Sequence, residues 1–357
     1  MHTLFITGAA GYVGGMLVEQ FAKRPDVARI VALDMEPMPE GFSGIEKLVY
    51  ICANTADTTW QEEVRTYRPD IVIHTAWHIR ERYGDRATTW KWNIEGSDNV
   101  FDFAFASDSV TRLVHFSTVA SYGAFPDNSL TKWYTEEDSF RESEYLYAEE
   151  KRISEEHLKE KFDAAPRKPD VSIIRPAAIT GPRGRYMRIR FGLQAALSGT
   201  LKGQKSFFYD LISAMVSWVP VTPKWLRQYV HEDDILGIVE RLSFGERVEG
   251  YEAFNAAPPG SAVLGPDMAR AVGKRTLKVH PWMVRIPFFF LWHLSRGKVP
   301  TAPGSWRGYS YPIGVEGGKV TRVLGYPYQY GSFDAFYYTN GRYEEFVPTD
   351  ARRHKDA

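Results

Sequence analysis

The junction at residues 4–15 constrains this chain most. There the apolar run "LFIT" passes without a linker into "GAAGYVGG". A short β-prone run followed by Gly8, Gly11 and Gly14 predicts a strand that turns tightly into a helix. Gly8 permits the turn, Gly11 lets backbone approach a pyrophosphate, and Gly14 lets the helix pack close to the strand. A helix that begins there aims its N–H groups and dipole at an anion. A bare glycine triplet is common in turns, so its position between strand and helix carries the argument.

The following sequence repeats the alternation. "TLFITG" (3–8), "RIVALD" (29–34), "KLVYICAN" (47–54), "DIVIHTAW" (70–77), "RLVHFSTV" (112–119) and "VSIIRPAAI" (171–179) are short continuous apolar runs. Runs of that kind suit strands covered on both faces. Helical patterns fall at 12–24, 59–68, 89–107, 143–162, 188–199 and 232–244. The expected fold is α/β, a doubly wound parallel sheet of Rossmann type with a smaller, mixed C-terminal substrate lobe. We expect the dinucleotide-binding domain at 1–180 and a mainly substrate-binding lobe at 181–345, some of whose segments return to the first core. A polar tail at 346–357 is expected to fray.

A length of 357 residues exceeds what one core usually serves, which agrees with two lobes. The 44 basic and 44 acidic residues balance, so no cationic excess exists for nucleic acid. The one cysteine, Cys52, allows no intrachain disulfide, and its strand-like flanks suggest a small buried core residue. "LISAMVSWVPV" (211–221) and "IPFFFLWHL" (286–294) are too short for a membrane span. The expected location is therefore cytoplasmic. Dispersed histidines give no metal site, and no G-x-S-x-G elbow appears.

Asp34 closes the second strand, 20 residues after Gly14. A carboxylate there can accept both ribose hydroxyls and repels a 2′-phosphate, favouring NAD over NADP. The competing explanation is a turn-forming Asp. In "YLYAEEK" (145–151), Tyr147 and Lys151 share a helical face at i and i+4. Such pairs are usually solvent dressing; alternatively, the lysine lowers the phenol pKa for proton transfer.

Seven motifs appear in order over 3–260: "TGAAGYVG", "HTA", "NIEGSDNV", "STVASYG", "YAEEK", "RPAAITGP" and "YVHEDD". In these the chain resembles the extended short-chain dehydrogenases/reductases, the NAD-dependent epimerase/dehydratase family. That group includes sugar-nucleotide epimerases and 3β-hydroxysteroid dehydrogenases. The resemblance implies an enzyme with Thr118, Tyr147 and Lys151 as catalytic residues and NAD as cofactor. Tyr147 exchanges a proton with the substrate hydroxyl, Lys151 lowers the phenol pKa and binds the nicotinamide ribose, and Thr118 orients the reacting oxygen. Ser117 is the runner-up to Thr118 and a cofactor or substrate contact. Tyr145 belongs to packing or the pocket.

The resemblance also implies that Gly8, Ala10, Gly11, Tyr12, Val13, Gly14 and Asp34 hold the dinucleotide. Asn54 and Thr55 fall on the adenine side, His74, Thr75 and Ala76 line phosphate and ribose, and Pro176 and Ala177 touch nicotinamide. His74 is expected to contribute backbone lining and not acid/base chemistry. Asn93 is expected to brace the sheet. A homodimer through the 89–107 and Tyr147 helices is implied.

Three outcomes share this machinery. Dehydratases of this kind carry Asp-Glu directly after the active-site Thr, and here Val119 and Ala120 stand there. Epimerisation of a nucleotide sugar gains support from Arg227, with Arg183 and Arg185 as further phosphate contacts; the bland alternative is surface arginines. Ala178 stands where epimerases place a substrate-binding Asn. The apolar segments 206–221 and 286–294 leave open core, an interface, or a pocket for a hydrophobic alcohol or ketone, as in the hydroxysteroid branch. Trp77 is a further candidate for the substrate pocket. A non-catalytic NAD-sensing regulator is the minor alternative, since such proteins often lose the Tyr or Lys present here.

Overall fold

The computed structural model describes residues 1–188, 218–271 and 273–355. Two compact units emerge. The first comprises Met1–Thr118, Leu146–Arg175 and Ile238–Phe254, and the second comprises Val119–Tyr145, Pro176–Gly237 and Asn255–Ala357. The second unit therefore takes 119–145 out of the N-terminal half, and 238–254 returns to the first.

In the first unit the sheet strands are β1 (His2–Thr7), β2 (Val27–Asp34), β3 (Leu48–Cys52), β4 (Ile71–His74), β5 (Arg112–Phe116), β6 (Asp170–Pro176) and β7 (Tyr251–Ala256). Their spatial order is β7-β6-β5-β4-β1-β2-β3. The pairs β2–β3, β1–β2, β1–β4, β4–β5 and β5–β6 are parallel. The order reverses direction between β1 and β4, and ligands of open α/β sheets sit outside the carboxyl ends of strands at such a switch point. Helices α1 (Tyr12–Phe21), α2 (Trp60–Thr66), α3 (Arg86–Trp90), α4 (Gly96–Ala106) and α5 (Leu146–Ala164) accompany the sheet. One core cluster joins Phe5, Val31, Val72 and Leu113 of the strands to Trp60, Phe103 and Leu158 of the helices. Continuous apolar runs arise because both sheet faces are covered.

The helix expected at 89–107 is interrupted by a π-helical turn at Lys91–Glu95, between α3 and α4. The turn leaves Asn93 and Ile94 buried. A wider turn rotates the residues after it, and such insertions recur at functional sites.

In the second unit short pairs replace a large sheet. Tyr229–His231 pairs parallel with Ala178–Thr180, and Trp218–Val221 pairs parallel with Arg275–Lys278. The acids of "EDD", in the first turn of the Glu232–Phe244 helix, each hold a different segment. Glu232 accepts the N–H groups of Arg183 and Gly184, both at 3.0 Å. Asp233 accepts the Arg342 amide at 3.1 Å and pairs with its guanidinium at 2.8 Å. Asp234 accepts the Tyr326 hydroxyl and the Gln329 amide at 3.0 and 2.8 Å. Buried carboxylates persist only with such partners.

Two expectations need correction. Cys52 is exposed, because it ends the edge strand β3. The tail does not fray up to residue 355: Thr339 N–H donates to the Arg353 carbonyl at 2.9 Å, and Lys355 pairs with Asp334 at 2.7 Å. The helix expected at 188–199 falls, except for residue 188, outside the described residues, as does 206–217 of the apolar segment 206–221.

A Cβ added at Gly14 would lie 2.1 Å from the Gly8 carbonyl oxygen. Gly14→Ala is therefore expected to lower stability by at least about 1–3 kcal/mol, the usual cost of overpacking, as read from a thermal or urea unfolding curve.

Candidate active site

The site begins with the turn after β1. Gly8 has φ +73°, and a Cβ there would stand 2.5 Å from the Ala76 nitrogen. Gly11 caps α1 with extended backbone and donates its N–H to the Gly8 carbonyl at 3.0 Å. The close approach at Gly8 demands bare backbone. From the end of β2, Asp34 accepts the Ala10 amide at 3.0 Å through one carboxylate oxygen and the Glu36 amide at 3.0 Å through the other. Asp34 thus braces the loop as well as facing it. Gly11 is exposed, while Ala10, Tyr12, Val13 and Asp34 are half-buried. This cradle at a helix N-terminus suits a pyrophosphate.

Around the cradle, Thr75 donates its hydroxyl to the Thr7 carbonyl at 2.7 Å. Asn54 accepts the Ala56 amide at 2.9 Å with its side chain, and the Asn99 amide group binds the Thr55 carbonyl at 3.0 Å. His74 is buried, bonded through Nδ1 to Thr7 Oγ1 at 2.7 Å and through Nε2 to Ser97 Oγ at 2.9 Å. Burial, with the charge of Lys151 as the second cause, pushes its imidazole down to about 3. His115 stacks on it with centroids 5.3 Å apart and is likewise held well below the usual range by burial. These neutral rings belong to the core, so only the His74 backbone can line a ligand.

Thr118 and Tyr147 are hydrogen-bonded through their side chains. Lys151, one turn further along α5, is buried and donates Nζ to the Phe116 carbonyl at the end of β5. Burial pushes its ammonium well down from the usual lysine value, opposed by Glu155 and Glu150. Burial also raises the Tyr147 phenol, partly offset by Thr118. The lowered phenol expected from the lysine is thus absent in the protein alone, because desolvation disfavours both charged forms. Trp77 covers Lys151, with Nζ 3.5 Å from the ring centroid. Asn93 accepts the His78 amide at 2.7 Å and donates to the His78 carbonyl at 3.0 Å and to Glu150 at 2.7 Å. It braces the loop after β4 and helix α5, where the sheet itself was expected.

A family model described as "NAD dependent epimerase/dehydratase family" matches residues 4–241. The chain belongs to that family. Uncharacterized proteins of Mycobacterium bovis and Mycobacterium tuberculosis are each 24% identical over 279 residues, covering 75% of this chain. The chain spans 65% of the length of those relatives. Among solved structures, MoeE5 in complex with UDP-glucose and NAD has 18% identity and a TM-score of 0.66, with 94% of this chain and 96% of that chain covered. The Bordetella bronchiseptica enzyme WbmG in complex with NAD and UDP has 20% identity and a TM-score of 0.66, with 93% and 91% covered. UDP-glucose 4-epimerase from Thermotoga maritima with UDP-glucose has 16% identity and a TM-score of 0.67, with 94% and 96% covered. At these identities the likeness speaks for the fold.

Several predicted contacts of this family member are occupied otherwise. Arg185 is buried, and its guanidinium bonds the carbonyls of Ala335, Phe336 and Tyr338, closing the C-terminus of the Ser332–Tyr337 helix. Carbonyls at a helix end need cations or donors. Trp77, expected in the substrate pocket, lies on the Lys151 ammonium. Ser117 is buried, its hydroxyl has no partner among the described residues, and its amide is bonded to the Ile174 carbonyl at 2.8 Å. Pro176 and Ala177 follow one another at the end of β6, both buried, and half-buried Ala178 pairs with Tyr229. Arg227 is half-buried with the Tyr309 ring 5.2 Å away; although burial opposes its charge, Tyr229, Tyr309 and Tyr145 raise its pKa. Among the described residues it makes no ion pair.

Glu150 is the site-adjacent group that the sequence did not reveal, because "YAEEK" gives no sign of which glutamate turns inward. It is 1% exposed, and its Oε1 has no hydrogen-bond partner among the described residues. Burial raises its carboxyl to about 7; Asn93 opposes the shift and Glu81 adds to it. With the folded value above the ordinary one, the folded state holds the extra proton. Stability from this group is therefore full below about 4.5 and is lost as pH rises to about 7. Glu150→Gln is expected to remove this slope and to gain one to a few kcal/mol over the native protein at pH 8 relative to pH 5, as measured by urea unfolding at both values.

Proposed function

We propose that this enzyme catalyses NAD-dependent hydride transfer at a secondary alcohol of a nucleotide sugar, with epimerisation as the net reaction. The hydrogen-bonded Thr118–Tyr147 pair with the buried Lys151 ammonium one turn along α5 carries this reading. In it, Tyr147 takes the proton of the substrate hydroxyl and returns it when the carbonyl is reduced. Thr118 orients the oxygen that loses and regains that proton. Lys151, pinned between the Phe116 carbonyl and the Trp77 ring, supplies a fixed cation that favours the phenolate. Gly8, Gly11, Gly14 and Asp34 would hold the dinucleotide, joined by Asn54, Thr55, Thr75 and Ala76. When bound, the cofactor supplies reversible hydride acceptance and a positive charge near the site.

For the substrate, Arg227 supports an anionic group: a cation among three tyrosines, without an ion pair among the described residues, suits a diphosphate. Val119 and Ala120 disfavour dehydration. The segment 286–294, weighed as a wall for a hydrophobic alcohol, turns Ile286, Phe289, Phe290 and Leu294 to solvent, which removes its support for that alternative.

Tyr147→Phe is expected to lower kcat by about 10²–10⁴-fold while NAD binding persists; native protein that binds NAD yet turns over no nucleotide sugar would leave the regulator reading instead. Arg227→Ala should raise KM for a nucleoside-diphosphate sugar by about 10–100-fold, the worth of one charge-assisted hydrogen bond. The primary test is acid release and quantification of dinucleotide from purified protein. Near-stoichiometric NAD supports epimerisation, whereas empty protein that binds NAD reversibly supports a dehydrogenase. No binding at either stage would overturn the proposal.

A further inference from the structure

The Pro281–Leu294 helix lies against the second unit through a narrow stripe of Pro281, Val284, Phe288 and Trp292, of which only Trp292 is buried. The Phe288 ring meets Tyr309 with centroids 5.3 Å apart. At about 100° per residue, the opposite face presents Trp282, Met283, Ile286, Phe289, Phe290 and Leu294, which are 43–81% exposed. Single exposed apolar residues are ordinary, but six on one face are not. With roughly 100 Å² bare on each, the face offers on the order of 600 Å², at the top of what monomers leave uncovered.

Charge identifies what covers it. From Met268 to Val315 the chain has no Asp or Glu over 48 residues, but it has eight Lys and Arg, although the whole chain carries 44 of each sign. The exposed cations bracket the helix: Lys278 precedes it, Arg285 lies within it, and Arg296 and Lys298 follow it. None of these four makes an ion pair among the described residues. A second copy would bring the same cations against them. No described helix is long and apolar enough to cross a membrane.

We propose that this helix docks the enzyme in plane on an anionic lipid bilayer, its apolar face entering the acyl boundary while Lys278, Arg285, Arg296 and Lys298 meet headgroup phosphates. Aromatic and aliphatic side chains on one face with cations at both ends are what interfacial helices use, and either signal alone anchors weakly. The docking is independent of the hydride-transfer site.

The test is co-sedimentation of the full chain with phosphatidylcholine vesicles, with and without phosphatidylglycerol. Binding is expected to the phosphatidylglycerol vesicles, to weaken in high salt and to be slight on phosphatidylcholine alone. The double substitution Phe289→Asp/Phe290→Asp should reduce binding at least tenfold with an unchanged melting curve, because both side chains are exposed. The fourfold charge reversal Lys278→Glu/Arg285→Glu/Arg296→Glu/Lys298→Glu should abolish the preference for phosphatidylglycerol. Failure to sediment with either vesicle, equal binding by native and double-substituted protein, or a solution dimer that the double substitution dissociates would overturn the proposal.

Discussion

The structure depends on a close contact of bare backbone at the first crossover. Gly8 turns with positive φ beneath Ala76, and α1 packs onto the Gly8 carbonyl at Gly14. Asp34 fastens the same loop to β2 through the Ala10 amide. A side chain at Gly8 or Gly14 would separate β1, α1 and the segment after β4. That segment continues from Ala76 into Trp77, whose ring covers the Lys151 ammonium. Cradle and lysine are therefore joined through a few residues of one unit.

Desolvation sets the charge states around that lysine. His74 and His115 are neutral beneath the strand ends, Lys151 and Tyr147 are each pressed toward their uncharged forms, and Glu150 holds its proton until near neutrality. The protein alone is thus biased toward a neutral Tyr–Lys pair. For Lys151, the Trp77 ring and the Phe116 carbonyl favour the ammonium against that bias.

Several polar residues of the sequence motifs hold the scaffold. The three acids of "YVHEDD" each anchor a different segment, and Arg185 closes the end of a helix. A buried charge must be matched by donors or acceptors, so motif acids and arginines can be demanded by folding alone. Arg227 differs, because three tyrosines raise its pKa and no carboxylate among the described residues pairs with it.

The alternation of apolar runs and the spacing of Gly8, Gly11, Gly14, Asp34, Thr118, Tyr147 and Lys151 by themselves determined the parallel fold and the family. Those features are local: a tight turn, a strand covered on both faces, and two residues on one helical face. Tertiary structure alone decided that the 89–107 helix breaks at a π turn to bury Asn93, that Glu150 turns inward, that Trp77 lies on the lysine, and that Arg185 faces carbonyls. It also turned the Phe-rich helix outward, although its composition resembles a core segment. Burial and pairing depend on residues distant in sequence, and no pattern of neighbours encodes them.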